Sequence, residues 1–122
     1  MPLLNTLAIA THKGGVGKTT TAINLGHALA LEGDKVLVVD LDPQGHASRS
    51  LGIDRHYDDP CVADLFTRRN RPDVQSLIVH NVRPNLSLLP SSIRLAAWAE
   101  NAVNMIRREC LLKEALEPVR DN

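Results

Sequence analysis

The chain has 122 residues, 43% hydrophobic and 23% charged, which suits one α/β domain with an aliphatic core, because Tyr57, Phe66 and Trp98 are its only aromatic residues. Fourteen basic residues balance fourteen acidic ones, so zero formal charge gives no overall field of the kind that draws proteins to a phosphate backbone. The two cysteines, Cys61 and Cys110, make neither a disulfide framework nor a metal pattern and fit a reducing compartment.

In chain order, the first six residues lack a basic region followed by an apolar core, and no apolar run approaches membrane-spanning length, so the expectation is a cytoplasmic protein with no membrane partner. Residues 6–10 form a short apolar run, predicted to be a buried parallel strand. It leads into His12-Lys13-Gly14-Gly15-Val16-Gly17-Lys18-Thr19-Thr20, and residues 21–31 follow as a helix-forming run. A loop that wraps a triphosphate needs inward backbone N–H groups, glycines that let the backbone approach closely, and a helix N-terminus whose dipole favours negative charge. Residues 13–20 supply all three. In Walker A terms, Lys18 reaches the β- and γ-phosphates of ATP and the Thr19 hydroxyl ligates Mg²⁺.

The ordinary pattern G-x-x-x-x-G-K-[ST] is incomplete here, since His12 stands where its first glycine belongs, and a second lysine, Lys13, is added. Lys-Gly-Gly-Val-Gly-Lys-Thr resembles the deviant Walker A motif of the ParA/MinD family of ATPases. The resemblance implies that Lys13 contacts nucleotide across a dimer interface, and that Gly14, Gly15, Val16, Gly17, Lys18, Thr19 and Thr20 hold it within one subunit.

After the loop, Ala22, Leu25, Gly26 and Leu29 fall at i, i+3, i+4 and i+7 and predict one helical face, closed by Gly33 as the C′ residue. Residues 36–39 are β-branched-rich and predict a second buried strand, completing a βαβ unit. The strand runs into Asp40-Leu41-Asp42-Pro43-Gln44-Gly45. Side-chain alternation puts Asp40 and Asp42 on one side at the carboxyl edge, where α/β sheets bind ligands. This segment resembles the Asp-x-Asp-Pro-Gln-Gly stretch of ParA-type proteins. By that resemblance Asp40 lies near the water shell of the metal and Asp42 positions the hydrolytic water.

Residues 43–60 lack periodicity and predict a long loop, with His46 and His56 as solvated residues. Residues 62–66 predict a short helix, followed by Arg68, Arg69 and Arg71, a basic cluster without interleaved aromatics that reads as a solvated face. Residues 77–79 and 86–89 are apolar runs around Asn81-Val82-Arg83-Pro84-Asn85, either a hairpin or successive sheet edges. Pro90-Ser91-Ser92 is a helix-start signal, after which Leu95, Ala99, Ala102 and Ile106 form one stripe and Leu112, Ala115, Leu116 and Val119 another out of phase with it. The phase slip predicts two helices split near Arg107-Arg108, with Pro118 ending the second.

The resemblance extends over the whole chain, including Leu86-Ser87-Leu88-Leu89-Pro90-Ser91 and Leu112-Lys113-Glu114-Ala115-Leu116. It implies a P-loop NTPase fold, a parallel sheet flanked by helices, and, for the intact protein, a ParA/Soj-type ATPase of chromosome or plasmid partition. Such proteins form an ATP-sandwich homodimer, bind DNA nonspecifically and are stimulated by a ParB-like partner. Lys13, Lys18 and Asp42 are then the catalytic residues, and Thr19 and, through water, Asp40 the magnesium residues. The family's next strand, ending in Walker B, is absent before Asn122, so residues 1–122 read as the N-terminal part of the nucleotide-binding domain, with an incomplete sheet, an unpaired edge and a tendency to associate. The alternatives are a non-hydrolysing nucleotide-binding or dimerisation module and a MinD-like positioning ATPase. A nitrogenase-iron-protein relation lacks its cysteine context at Cys61 and Cys110.

Overall fold

The computed structural model describes residues 6–67 and 69–120; Met1–Asn5, Arg68 of the basic cluster, and the terminal Asp121 and Asn122 lie outside them. Its elements are α1 (Lys18–Leu31), β1 (Val36–Val39), α2 (His46–Ser50), a 3₁₀ turn (Val62–Phe66), α3 (Val74–Leu77), β2 (Val79–Arg83), β3 (Leu86–Leu89), α4 (Arg94–Asn101) and α5 (Leu111–Leu116). Further 3₁₀ turns cover Ala102–Asn104, Arg108–Cys110 and Glu117–Val119.

The described strands form one sheet in the order β1-β3-β2. β1 pairs with β3 in parallel, Val36 opposite Leu86 through Val39 opposite Leu89, and β2 returns antiparallel to β3. Of the two alternatives the hairpin is the one formed, but its first strand is Val79–Arg83 and not the 77–79 run, since Leu77 ends α3, and the sheet is mixed, not wholly parallel. Its turn is Pro84-Asn85, where Asn85 takes φ 62°, a left-handed conformation that asparagine tolerates better than most residues. The register of β2 and β3 shifts between Val79 and Arg83. There Asn81 sits at φ 52° and its N–H turns to the Ser87 hydroxyl at 3.1 Å instead of a backbone carbonyl.

Alternation along β1 and β3 splits the core into two layers. Val36, Val38, Leu86 and Leu88 face one side, where Ile23 and Ala30 of α1 and Leu51 and Ile53 after α2 cover them. Leu37, Val39 and Leu89 face the other, against Val62, Leu65, Phe66, Val74, Leu77, Leu95, Trp98, Leu112 and Ala115. Phe66 stacks on Trp98 with ring centroids 4.4 Å apart. A sheet with helices on both faces is the predicted α/β architecture.

Gly26 explains how α1 lies on the sheet. A Cβ built on it would stand 3.2 Å from Val38 Cγ2, 3.5 Å from Leu86 Cδ1 and 3.7 Å from Val36 Cγ1, so the absence of a side chain lets the helix sit close. The face turned to the sheet is Ile23, Gly26 and Ala30, whereas Leu25 is 38% exposed. The predicted stripe is thus rotated at Leu25. Residues 22–31 are apolar nearly all round, so periodicity alone does not choose the face, and the small residues choose it by permitting close approach. The helix ends as predicted: Gly33 takes φ 101° and the Asp34 N–H reaches back to the Leu29 carbonyl at 3.1 Å.

Three other expectations change. Residues 6–10 are not a buried strand: they pair with no described strand, and Leu7 is 65% exposed. An extended segment becomes a strand only when a neighbour takes its N–H and C=O groups, and none of the three described strands, whose order is β1-β3-β2, pairs with residues 6–10. The long loop over 43–60 contains α2, which Asp42 initiates as described below. The helix-start signal at Pro90-Ser91-Ser92 opens α4 only at Arg94, through the Ser92 hydroxyl accepting the Arg94 N–H at 3.3 Å. The split between the last two helices falls where predicted, with Arg107 in the left-handed region at φ 61°, and Pro118 lies in the 3₁₀ turn that succeeds α5.

Candidate nucleotide-binding site

The α1–β1 connection brings the N-terminus of α1 and the carboxyl end of β1 to one end of the sheet, and α1 packs against both β1 and α2. Gly17 is the N-terminal cap of α1 at φ 89°, and its carbonyl accepts the Thr21 N–H at 2.8 Å. Gly15 takes φ 73°. Both values lie where only glycine rests without strain, which is why the loop carries glycines at these positions. Nothing lies within 4 Å of a Cβ built on Gly14, Gly15 or Gly17, so these glycines stand clear of the rest of the described chain.

Lys13 and Lys18 are exposed, and neither forms an ion pair with a described residue. The Lys13 N–H is held by the Thr11 hydroxyl at 3.2 Å. Thr19, half-buried in the first turn of α1, and the exposed Thr20 complete the loop. Exposed ammonium groups beside a glycine turn at a helix N-terminus fit a polyphosphate with its divalent cation, because the lysines and the N–H groups at the start of α1 are all positive ends.

The two aspartates do different work. Asp40 is 3% exposed and follows β1, its N–H bonded to the Leu89 carbonyl at 3.1 Å. Its Oδ2 accepts the Ser48 N–H at 2.8 Å and the Ser48 hydroxyl at 2.6 Å, and its Oδ1 accepts the Asp42 N–H at 3.0 Å. The Ser91 N–H donates in turn to Ser48 Oγ at 3.2 Å, so the connection after β3 is tied to the one after β1. Asp40 thus fastens α2 to the end of the sheet with three donors, and one lone-pair direction remains for a further one.

Asp42 is nearer the surface. Its Oδ1 accepts the Gln44 N–H at 2.9 Å, and its Oδ2 accepts the His46 N–H at 3.3 Å and stands 2.6 Å from His46 Nδ1. This folds Asp42-Pro43-Gln44-Gly45 into a turn, with Gly45 at φ 64°, and starts α2. Burial pulls the Asp42 carboxyl up, but the N–H groups of Gln44 and His46 and the imidazole outweigh it and hold it below 3.8. The carboxylate form is therefore the one present at neutral pH. The partners Ser48 and His46 are absent from the sequence reading of the site. The i,i+4 spacing of Asp42 and His46 was the available signal for the second; for Ser48, eight residues from Asp40, the sequence carries none.

Elsewhere, Asp64 pairs with Arg94 at 2.6 Å, and Arg94 also donates to the Asp59 carbonyl at 2.6 Å, binding the 3₁₀ turn to α4 on the far face of the sheet. Cys61, fully buried, lies 3.2 Å from the Ser92 hydroxyl, and Cys110 is likewise a free thiol. Arg69 and Arg71 of the basic cluster and His56 are remote in sequence from the phosphate loop and contribute no bond to it. No helix among the described residues is long and apolar enough to cross a membrane.

Comparison with known proteins agrees with this geometry. A family model described as an AAA domain matches residues 4–122. Sporulation initiation inhibitor protein Soj of Bacillus subtilis is 45% identical over 116 residues, 95% of this chain and 45% of that protein. Chromosome partitioning protein ParA of Caulobacter vibrioides is 42% identical over 119 residues, 98% of this chain and 44% of that protein. Among solved structures, cobyrinic acid a,c-diamide synthase from Mycobacterium smegmatis, with an ATP analogue and magnesium bound, superposes with a TM-score of 0.81 at 36% identity, covering 90% of this chain and 44% of that one. The chain thus spans a little under half the length of these relatives. With the match running through the glycine loop and the Asp40–Gly45 turn alike, the chain belongs to the AAA-domain family, in its ParA/Soj-type group of deviant Walker A proteins.

Proposed function

We propose that this chain carries the phosphate-binding part of a ParA/Soj-type partition ATPase. The carrying observation is the open loop with left-handed Gly15 and Gly17 running straight into α1, flanked by two lysines that have no counter-charge among the described residues. In this reading Gly14, Gly15, Val16 and Gly17 present N–H groups to the phosphates of ATP, Lys18 neutralises the β- and γ-oxygens, and Thr20 closes the first turn. The Thr19 hydroxyl ligates Mg²⁺, and Asp40 uses its remaining lone pair on the water shell of the metal. The bound magnesium supplies charge neutralisation at the phosphates.

The reaction proposed for the whole protein is ATP plus water to ADP and phosphate. Asp42, ionised and held by the Gln44 and His46 N–H groups, accepts a hydrogen bond from the attacking water and so aims it. Lys13 acts across an ATP-dependent homodimer. Residues 1–122 form the N-terminal part of the domain, and the whole protein takes a ParB-like partner and nonspecific DNA in the cytoplasm. The names of the Soj and ParA relatives support the partition role.

The test is equilibrium binding of Mg-ATP to the chain, with Lys18→Ala alongside and circular dichroism to establish folding of both. Saturable binding that Lys18→Ala weakens at least about tenfold is the expected result, since a charge-assisted contact to phosphate is removed. Equal binding by the two folded proteins would refute the assignment of the loop.

A further inference from the structure

A cavity of about 150 Å³ lies behind the Asp42 turn, between α2 and the segment that follows β3. Pro43, Gln44 and Gly45 form one wall, and Ser91 and Arg55 contribute the polar atoms that matter. Four buried side-chain nitrogen or oxygen atoms among the described residues have no hydrogen-bond partner, and two of them, Ser91 Oγ and Arg55 Nε, belong to residues lining this one cavity. Ser91 is only 2% exposed. A buried hydroxyl and a buried guanidinium N–H left unpaired are each unfavourable, and an acceptor that enters the cavity between their residues relieves that cost.

The charges define that acceptor. Arg49 and Arg55 line the cavity with one carboxylate, Asp54, and no ion pair joins Asp54 to either arginine. Arg49 is already engaged through Nη2 with the Gln44 carbonyl at 2.6 Å, whereas Arg55 has no hydrogen bond to a described residue. Two guanidiniums against one carboxylate leave one positive charge, which matches a monoanion and disfavours a dianion. Arg55, with Nε buried, offers the planar fork that pairs with two oxygens of a carboxylate, and Ser91 adds a third donor.

We infer that this cavity is a binding site for a single carboxylate, with Arg55 and Ser91 as its recognition groups. The carboxylate comes either from a free small acid or from an acidic side chain of a protein partner; a volume near 150 Å³ holds one such group and little more. Since Gln44 and Gly45 form both the cavity wall and the turn held by Asp42, occupancy stabilises that turn by mass action.

The test is titration of the isotopically labelled chain with acetate, with a glutamate blocked at both backbone ends, and with inorganic phosphate, following amide shifts of Gln44, Gly45 and Ser91. The expected result is saturable binding of a carboxylate in preference to phosphate, about tenfold weaker in Ser91→Ala and abolished in Arg55→Gln. Ser91→Ala retains the backbone N–H bond to Ser48, so the turn survives the substitution. Preference for acetate over blocked glutamate points to a free acid, and the reverse to a protein side chain. Tighter binding of phosphate, binding indifferent to Arg55→Gln, or no saturable shift with either carboxylate, as for a cavity that holds only water, would overturn the site. A wild-type spectrum without dispersed amides would overturn it too, since the cavity exists only in this fold.

Discussion

Replacing Asp40 by asparagine separates its structural work from any role near a metal, because stability is measured without nucleotide. The carboxylate accepts three hydrogen bonds, from the Ser48 N–H, the Ser48 hydroxyl and the Asp42 N–H, in a site 3% exposed. Asparagine has one oxygen. Turned toward Ser48 it keeps two bonds, now to a neutral acceptor, and sets its NH₂ against the Asp42 N–H. Turned the other way it keeps one bond and confronts two donors. The better arrangement loses one charge-assisted bond and weakens two, a destabilisation of about 3 kcal/mol. For a chain of this size that lowers Tm by about 12 °C. Urea denaturation followed by circular dichroism measures it, with Ser48→Ala and the double variant completing a cycle. Ser48→Ala alone removes one of the three bonds and also the acceptor of the buried Ser91 N–H, and should lower stability by about 2–3 kcal/mol. The double variant should fall short of the sum, because both changes act on one bond. A loss below about 1 kcal/mol for Asp40→Asn, or strict additivity, would show that the network does not hold α2 to the sheet.

Asp64 carries the clearest pH consequence. Burial raises its carboxyl, but the Arg94 hydrogen bonds, the Cys61 N–H and the Arg94 charge outweigh that and depress it below 3.8, and Arg94 correspondingly holds its proton more tightly. A depressed acid contributes stability that is complete above the unfolded value and lost as pH falls through the folded one. Arg94→Gln should therefore flatten the fall in stability between about pH 5 and pH 2 in urea titrations, without abolishing it because Asp42 is also depressed; an unchanged slope would refute the pairing. Phe66→Ala removes the partner of Trp98 from the core and should destabilise by about 3–5 kcal/mol while the emission of Trp98, the chain's one tryptophan, shifts to the red. A blue emission retained at full stability would place the stack outside the core.

The sequence by itself determined the chemistry-bearing loop and its neighbours. Gly15 and Gly17 must take positive φ, the lysines flank them, and α1 follows at once, all relations within a few residues that local sterics and spacing dictate. The strand at Val36–Val39 and the break at Arg107 were legible for the same reason, whereas the hairpin around Asn85 was one of two readings that the apolar runs left open. What only the tertiary structure decided depends on partners distant in sequence. Residues 6–10 have strand-like composition, yet no described strand pairs with them and Leu7 is exposed. The buried face of α1 was settled at Gly26, by the nearness of Val38 and Leu86, since an all-round apolar helix has no intrinsic preference. Asp40 and Asp42, two residues apart and alike in composition, diverge because one meets Ser48 in the interior and the other closes its own turn. Ser91 and Arg55 share a cavity only because the sheet brings the ends of β1 and β3 side by side. Local spacing sets what a segment is able to do; burial and pairing, which require the rest of the fold, set which of its groups are spent on structure and which are left free to bind.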